Sequence, residues 1–138
     1  MTAALAAILF GLLAGLRTFT APAVLWLVRR GTPLAYVLGV LALLEDAGDL
    51  SPKTPARTQP FGLIARACSG AFCGWTVAGL NAGSPVLCAL LGALAAVGGA
   101  YAGLALRLRL AKLAGRVPAA LIEDAFTIAC SVALALAA

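Results

Sequence analysis

Residues 85–106 read PVLCALLGALAAVGGAYAGLAL and contain no charged side chain. This run meets the roughly 20 apolar residues that an α-helix needs to cross the hydrocarbon core of a bilayer. The rest of the chain is similar, since 63% of its 138 residues are hydrophobic and only 11% are charged. A soluble domain of this size could not bury so much apolar surface. The composition therefore predicts a helical membrane protein and argues against a soluble enzyme, a disordered tail or a nucleic-acid-binding module.

Four further apolar segments are separated from this run by polar, glycine or proline breaks. They cover about residues 3–28, 33–52, 61–80 and 118–138. The first is expected to be a membrane helix rather than a signal peptide, because its first cation, Arg17, does not precede the apolar stretch. The second is purely apolar only as far as Leu44. It therefore predicts either a span that carries Glu45, Asp46 and Asp49 into the membrane or a re-entrant segment.

The expected fold is all-α, a polytopic transmembrane bundle of about five helices with broken or re-entrant segments, in a single domain over residues 1–138. The net charge of +5 is interpreted through the positive-inside rule, because cytoplasmic loops collect Lys and Arg. With five spans, the N-terminus shares a side with the two most basic loops. Their cations are Lys53, Arg57, Arg107, Arg109, Lys112 and Arg116. We therefore expect a cytoplasmic N-terminus and an outer C-terminus.

Two local patterns refine this bundle. Small residues recur four positions apart, which lets helix backbones approach closely. The pairs are Gly11/Gly15, Gly70/Gly74, Gly79/Gly83 and Gly99/Gly103. Residues 51–60 form a linker whose three prolines block a regular helix, so we expect irregular chain that lies against the protein.

A short repeat links the two halves of the chain. Residues 42–47 read ALLEDA, residues 120–125 read ALIEDA, and in the same register Arg29 matches Arg107. The chain has only five acidic residues, so two Glu-Asp doublets in one register are conspicuous. The copies lie three helices apart and would run in opposite directions, which is the pattern of an inverted-topology repeat in transporters.

The depth of the charged side chains can be worked out from the helical rise. In a core of about 30 Å, Glu45 and Glu123 both fall roughly 20 Å from the outer face, and Arg66 lies about 9 Å from the inner face. Arg17 lies nearer the middle, where Thr18 and Pro22 indicate a broken helix. We expect Arg17 to point into the bundle. We also expect Glu45, Arg66 and Glu123 to converge, with Asp49 or Asp124 close by. Such residues mark a polar site or a structural salt-bridge cluster.

Several stretches together resemble the bacterial membrane protein family catalogued as domain of unknown function 4126. The matching residues are GLRTFTAPA at 15–23, Glu45, Asp49, Pro52, Thr54, Pro55, Arg57, Thr58, Arg66, Ser69, Gly70 and PAALIEDA at 118–125. The family pattern has a lysine after the aspartate that matches Asp49, and this chain has Leu50 there. The resemblance implies a small multi-pass protein of the bacterial inner membrane, with polar residues in the bilayer and no known activity.

The leading functional hypothesis is a transporter or channel for an ion or a small polar or anionic solute, without a cofactor. Its partners would be the lipid bilayer and further copies of the chain, because five short helices enclose little volume. The candidate binding residues are Arg17, Glu45, Asp49, Arg57, Arg66, Glu123 and Asp124. The carboxylates would bind a proton or cation, and Arg17 and Arg66 an anionic group or counter-charge.

Two alternatives stay open at this point. One is an enzyme or binding protein for a lipid or phosphate headgroup, with carboxylates on Mg²⁺ and with Arg57 and Arg66 on phosphate. Against it, the chain has no His and no nucleophile in a catalytic motif. The other is a scaffold whose charges only hold helices together.

Overall fold

The computed structural model describes residues 1–49 and 59–138, without the side chain of Asp49. These residues form six α-helices. They are α1 (Ala3–Leu16), α2 (Thr20–Arg29), α3 (Pro33–Asp49), α4 (Pro60–Leu80), α5 (Pro85–Ala114) and α6 (Arg116–Ala137). The all-α bundle is confirmed. The number of helices is six rather than five, because the first apolar segment divides into two.

Three of these helices are long and apolar enough to cross a membrane. They are α4, α5 and α6, with 21, 30 and 22 residues. At 1.5 Å per residue, α5 extends about 45 Å and is longer than a hydrocarbon core of about 30 Å. α1 is also apolar but has only 14 residues. Three candidate spans in the described part of the chain indicate a membrane protein.

Many large apolar side chains lie on the surface of the bundle, and several polar side chains lie buried inside it. On α6, the exposed side chains include Leu121, Phe126 and Leu136, whereas Thr127 and Ser131 are fully buried. A helix in water has the reverse arrangement, with its apolar stripe facing the core. Large apolar side chains on the outside are expected where the surrounding solvent is lipid.

The helix α1 runs parallel to α5 and antiparallel to α4. Ala3 packs against Gly83 in the turn between α4 and α5, and Leu16 packs against Gly103 further along α5. Gly70 of α4 lies against Gly92 of α5, on backbone that only glycine allows to approach so closely. The N-terminal end of α1 therefore lies at the same end of the bundle as the turn between α4 and α5.

The helix α2 turns back instead of continuing α1. At its beginning, the Ser69 hydroxyl of α4 donates to the Thr18 carbonyl. Near its end, Trp26 Nε1 donates to Thr76 Oγ1 of α4 at 3.3 Å. Since both helices progress in the same direction along these contacts, α2 is parallel to α4 and antiparallel to α1. The expectation that residues 3–28 form one span is therefore wrong: they form a helical hairpin.

The hairpin turn has a local cause in Pro22. Arg17 leaves α1 with extended backbone, at φ −136° and ψ 118°. In a continuous helix the carbonyl of Thr18 would accept a bond from the residue four positions on, which is Pro22 and has no N–H. Ser69 provides the missing donor. The break expected beside Arg17 is confirmed.

The remaining helices, α3 and α6, also alternate in direction with the helices that precede them in the chain. α3 packs mainly on α2, and its last turns bring Glu45 to Thr18 at the hairpin tip. α6 packs on α2, α5 and α1, with Asp124 near its beginning beside Arg17. Both termini therefore lie at one end of the bundle, and the basic segment 107–116 lies at the other. The expected cytoplasmic N-terminus depended on five spans, which would put the N-terminus and this basic segment on the same side of the membrane. In the structure the two lie at opposite ends of the bundle.

Close packing of small residues holds the central helices together. Gly11, Gly15, Gly70 and Gly99 all lie against backbone of a neighbouring helix, as their spacing indicates. Gly79 is the exception among the expected pairs, since no neighbouring atom lies within 4 Å of a side chain built there. The main apolar core lies where α1, α2, α4, α5 and α6 meet, and its largest side chains include Phe10, Leu25 and Val77.

Candidate functional site

The hairpin tip carries a buried arginine between two aspartates. Arg17 is only 1% exposed, so the expectation that it points into the bundle is confirmed. Its Nη1 lies 3.2 Å from Asp46 Oδ1 of α3, and its Nη2 forms an ion pair with Asp124 Oδ1 of α6. The second residue of each Glu-Asp doublet therefore contacts the same guanidinium. The aspartates are more accessible, at 29% for Asp46 and 20% for Asp124.

Glu45 binds the backbone that enters α2. Its Oε1 accepts from the Thr18 N–H at 3.0 Å and from the Thr18 hydroxyl at 2.7 Å. Its Oε2 accepts from the Phe19 N–H at 3.1 Å. These backbone groups have no partner within the helix, and a negative charge at a helix N-terminus is favourable. Glu45 of α3 is therefore a cap for α2.

Arg66 binds the other side of the same turn. Its Nε donates to the Gly15 carbonyl at the end of α1 at 3.1 Å, and its Nη1 donates to the Gly62 carbonyl at 3.2 Å. Its Nη2 lies 3.6 Å from Glu45 Oε1. A cation at the C-terminus of α1 and an anion at the N-terminus of α2 each complement a helix dipole. Together they stabilise the turn.

Glu123 forms its own pair with Arg107 of α5, at 3.9 Å between Nη1 and Oε2. The expected convergence is correct for Glu45 and Arg66, whereas for Glu123, which contacts Arg107, it stays a prediction. The arginine that lies between two carboxylates is Arg17. The chain turns back directly after α1, before it reaches the far end of the bundle, and Arg17 is in this turn. Arg17 consequently lies at the level of Arg66 rather than nearer the middle of the membrane.

This level is closer to the basic end of the bundle. Arg66 is six residues after Pro60 and Glu123 is seven after Arg116, which corresponds to about 9–10 Å along each helix. Gly103, which lies beside Leu16 and Glu123, is about 27 Å from the beginning of α5. A side chain at this level is within reach of the nearer interface.

The described part of the site contains three arginines and four carboxylates. The arginines are Arg17, Arg66 and Arg107, and the carboxylates are Glu45, Asp46, Glu123 and Asp124. With all groups ionised, this set carries one net negative charge.

Some of these residues were missed in the sequence. Asp46 and Arg107 are absent from the expected site, although the repeat register places Asp46 on Asp124. That register was the available signal for Asp46. The side chain of Asp49, all of Arg57 and the linker residues 51–58 lie outside the described residues. The roles expected for Asp49 and Arg57 stay predictions.

A cavity of about 460 Å³ adjoins the tip between α3 and α4. Its polar lining includes Thr18, Glu45 and Arg66, beside apolar residues such as Leu41 and Phe61. Within residues 1–49 and 59–138, no three His, Cys, Asp or Glu side chains form a group able to hold a metal ion.

Comparisons with protein-family models, curated proteins and solved structures give no match for this chain. The resemblance to domain of unknown function 4126 and the inverted repeat stay predictions. The function of this protein is therefore inferred from the geometry of the hairpin tip.

Proposed function

We propose that this protein is a small transporter or channel for a proton or small cation, in which Asp46 and Asp124 bind the ion in competition with Arg17. The observation that carries the proposal is the position of Arg17. It is buried at the tip of a re-entrant hairpin and holds one aspartate from each doublet. Ionisable residues inside membrane bundles commonly mark ion pathways.

The chemistry follows from the charge of this trio. Arg17 with two ionised aspartates carries one negative charge. When one aspartate takes up a proton or a monovalent cation, the trio becomes neutral and the guanidinium keeps the other aspartate as its partner. A neutral cluster costs less to hold in a low-dielectric interior than a charged one. Arg17 therefore acts as an internal counter-ion during loading and release.

The hairpin also supports an ion site at its tip. Irregular backbone at membrane depth is tolerated where it is buried in protein or lines a cavity, and transporters bind ions at the ends of interrupted helices. Here the interruption at Arg17 places two helix ends beside the charged cluster. An anionic solute is disfavoured, because Arg17, Arg66 and Arg107 each already hold a carboxylate.

The experiment compares ion flux in liposomes reconstituted with wild type, Asp124→Asn and Asp46→Asn. Flux is driven by a potassium diffusion potential, and an entrapped pH dye and radioactive sodium report protons and cations. Arg109→Gln is the control, because Arg109 is exposed near the basic end. We expect the ion flux of each aspartate variant to be at least tenfold lower than that of wild type. The elution profile of each variant in detergent should match that of wild type, which shows that the variant folds. Flux of wild type no greater than that of empty liposomes would reject the proposal.

A scaffold is the second candidate, and the bonds of Glu45 favour it. Both carboxylate oxygens of Glu45 accept bonds from the hairpin backbone, which is a structural role. A pure scaffold predicts no flux in wild type, and variants of Asp124 that lower only the thermal stability. The same liposomes and a melting curve separate the two.

We also propose a location in the bacterial inner membrane, with the basic end of the bundle in the cytoplasm. The N-terminus lies at the other end, so the positive-inside rule now places it outside, in place of the cytoplasmic side expected from five spans. Further copies of the chain would pack against α3, which contacts mainly α2 and exposes Tyr36, Val40 and Leu43.

A further inference from the structure

An apolar groove runs between α2 and α3 and ends at Asp46. Its floor consists of small buried side chains, which are Ala23 of α2 and Ala35 and Ala42 of α3. Tyr36 and Asp46 line its two ends on α3, so the groove is about 15 Å long. Its volume is about 460 Å³, and sites for small organic molecules typically enclose about 300–1,000 Å³. The groove therefore has room for an organic molecule.

The groove opens sideways, away from the core of the bundle. Its rim consists of exposed apolar side chains, which are Leu27 of α2 and Val40 and Leu43 of α3. In a membrane protein such side chains face the acyl chains of the lipid. A molecule that is dissolved in the bilayer can therefore enter the groove without crossing the packed core.

Gly39 keeps the middle of the groove open. It lines the groove, and a side chain built there would meet no neighbouring atom within 4 Å. Gly11 and Gly70, in contrast, lie against the backbone of a neighbouring helix. Helix packing therefore does not require glycine at position 39, although glycine is a poor helix former. What a larger residue at this position would change is the space inside the groove.

Asp46 gives one end of the groove a negative charge, and it is the one charged residue among the described residues that line it. Its Oδ1 faces Arg17 at 3.2 Å and is buried, whereas the side chain as a whole is 29% exposed. Arg17 with ionised Asp46 and Asp124 carries one net negative charge. Apolar walls of low dielectric strengthen the attraction between this charge and a cation. The groove therefore combines an apolar surface with a preference for positive charge.

We propose that this groove binds a lipophilic organic cation of one positive charge, with the charged centre beside Asp46 and the apolar groups between α2 and α3. The inference rests on the proposed function, whose ion site includes Asp46, and extends the ion from a small cation to a lipophilic one. The bound cation neutralises the trio, and Arg17 keeps Asp124 as its partner. At the other end, the exposed ring of Tyr36 offers the cation a flat apolar surface.

The test is binding of radiolabelled tetraphenylphosphonium to the purified protein in detergent, measured by equilibrium dialysis. Tetraphenylborate has the same shape and the opposite charge, so it is the matched probe. Gly39→Leu fills the groove, and Gly98→Leu is its control, because Gly98 of α5 also has open space around it and lies outside the groove. We expect saturable binding in wild type and in Gly98→Leu. The affinity should be at least tenfold lower in Gly39→Leu and in Asp46→Asn.

Three results would overturn the binding site. The first is equal affinity for tetraphenylphosphonium in wild type, Gly39→Leu and Asp46→Asn. The second is equally tight binding of tetraphenylborate, which would show an apolar site without a preference for charge. The third is no binding together with a dimer in wild type and a monomer in Gly39→Leu by light scattering, which would show that a second copy of the chain fills the groove. Gly39→Leu keeps every charged side chain of the site, so it decides the test if Asp46→Asn fails to fold.

The liposome experiment separates this site from the proposed function. Wild-type flux of protons or sodium without tetraphenylphosphonium binding overturns the binding site alone. Saturable binding that both variants lose, without flux of any ion in liposomes, supports the binding site and rejects transport.

Discussion

Replacing Glu45 with Gln tests whether the hairpin depends on its cap. Glu45 accepts three hydrogen bonds from Thr18 and Phe19 and lies 3.6 Å from the Arg66 guanidinium. Glutamine has nearly the same shape but only one acceptor oxygen. If that oxygen stays on Thr18, the amide NH₂ faces the Phe19 N–H, and two donors oppose each other. The negative charge at the beginning of α2 is also lost.

The magnitude follows from these contacts. A buried N–H group left without an acceptor costs about 1–3 kcal/mol. Loss of a favourable charge at a helix N-terminus costs about 0.3–1 kcal/mol more. Arg66 keeps the carbonyls of Gly15 and Gly62 as partners, so the cost stays below the roughly 3–5 kcal/mol of a buried ion pair that loses one member. We therefore expect Glu45→Gln to lower the free energy of unfolding by about 1–4 kcal/mol.

The assay is equilibrium unfolding in mixed micelles, followed by the fluorescence of Trp26 in a chain whose other tryptophan, Trp75, is replaced by Phe. Trp26 is on α2 and stacks on Phe72 of α4 with ring centroids 5.6 Å apart, so it reports directly on docking of the hairpin. Arg109→Gln serves as the control for loss of a charge outside the site. A free energy of unfolding within about 0.5 kcal/mol of wild type would refute the capping role, since surface substitutions usually fall in that range.

Two further substitutions test the packing of α4. Gly70→Ala should destabilise the fold by about 1–3 kcal/mol, because the new methyl group would collide with the backbone of α5. Gly98→Ala is its control and should not destabilise, since that position has open space. Ser69→Ala should cost about 1–3 kcal/mol by leaving the buried Thr18 carbonyl without a donor, whereas Ser84→Ala should be neutral. Melting temperatures in detergent measure all four, and equal values within either pair would contradict the contacts described.

The parts of the fold that were predictable are those with a simple physical signal. An uninterrupted apolar run is sufficient to identify α5, and apolar runs with one or two charged residues identify α4 and α6. The pair of Glu45 and Arg66 follows from the helical rise, because both residues lie on helices that run in opposite directions through the bundle. The burial of Arg17 follows from the cost of a charge in lipid.

The hairpin was not predictable from the same signals. Residues 3–28 are apolar throughout except for Arg17 and a few hydroxyls, and hydropathy alone does not distinguish one span from two short antiparallel helices. Pro22 favours a break in the helix, and the capping of the turn by Glu45 and Arg66, which come from other helices, makes that break a hairpin. The pairing of Arg17 with Asp46 and Asp124 follows from the hairpin, so it could not be identified before the turn was known.

The most direct test of the hairpin is the sidedness of its two ends. In a chain whose four cysteines are replaced, Thr2→Cys, Arg29→Cys and Lys112→Cys are labelled one at a time with a membrane-impermeant maleimide in right-side-out and inverted vesicles. We predict that Thr2→Cys and Arg29→Cys react from the same side and Lys112→Cys from the opposite side. Labelling of Thr2→Cys and Arg29→Cys from opposite sides would show a single span. It would contradict the hairpin and the ion site built on its tip.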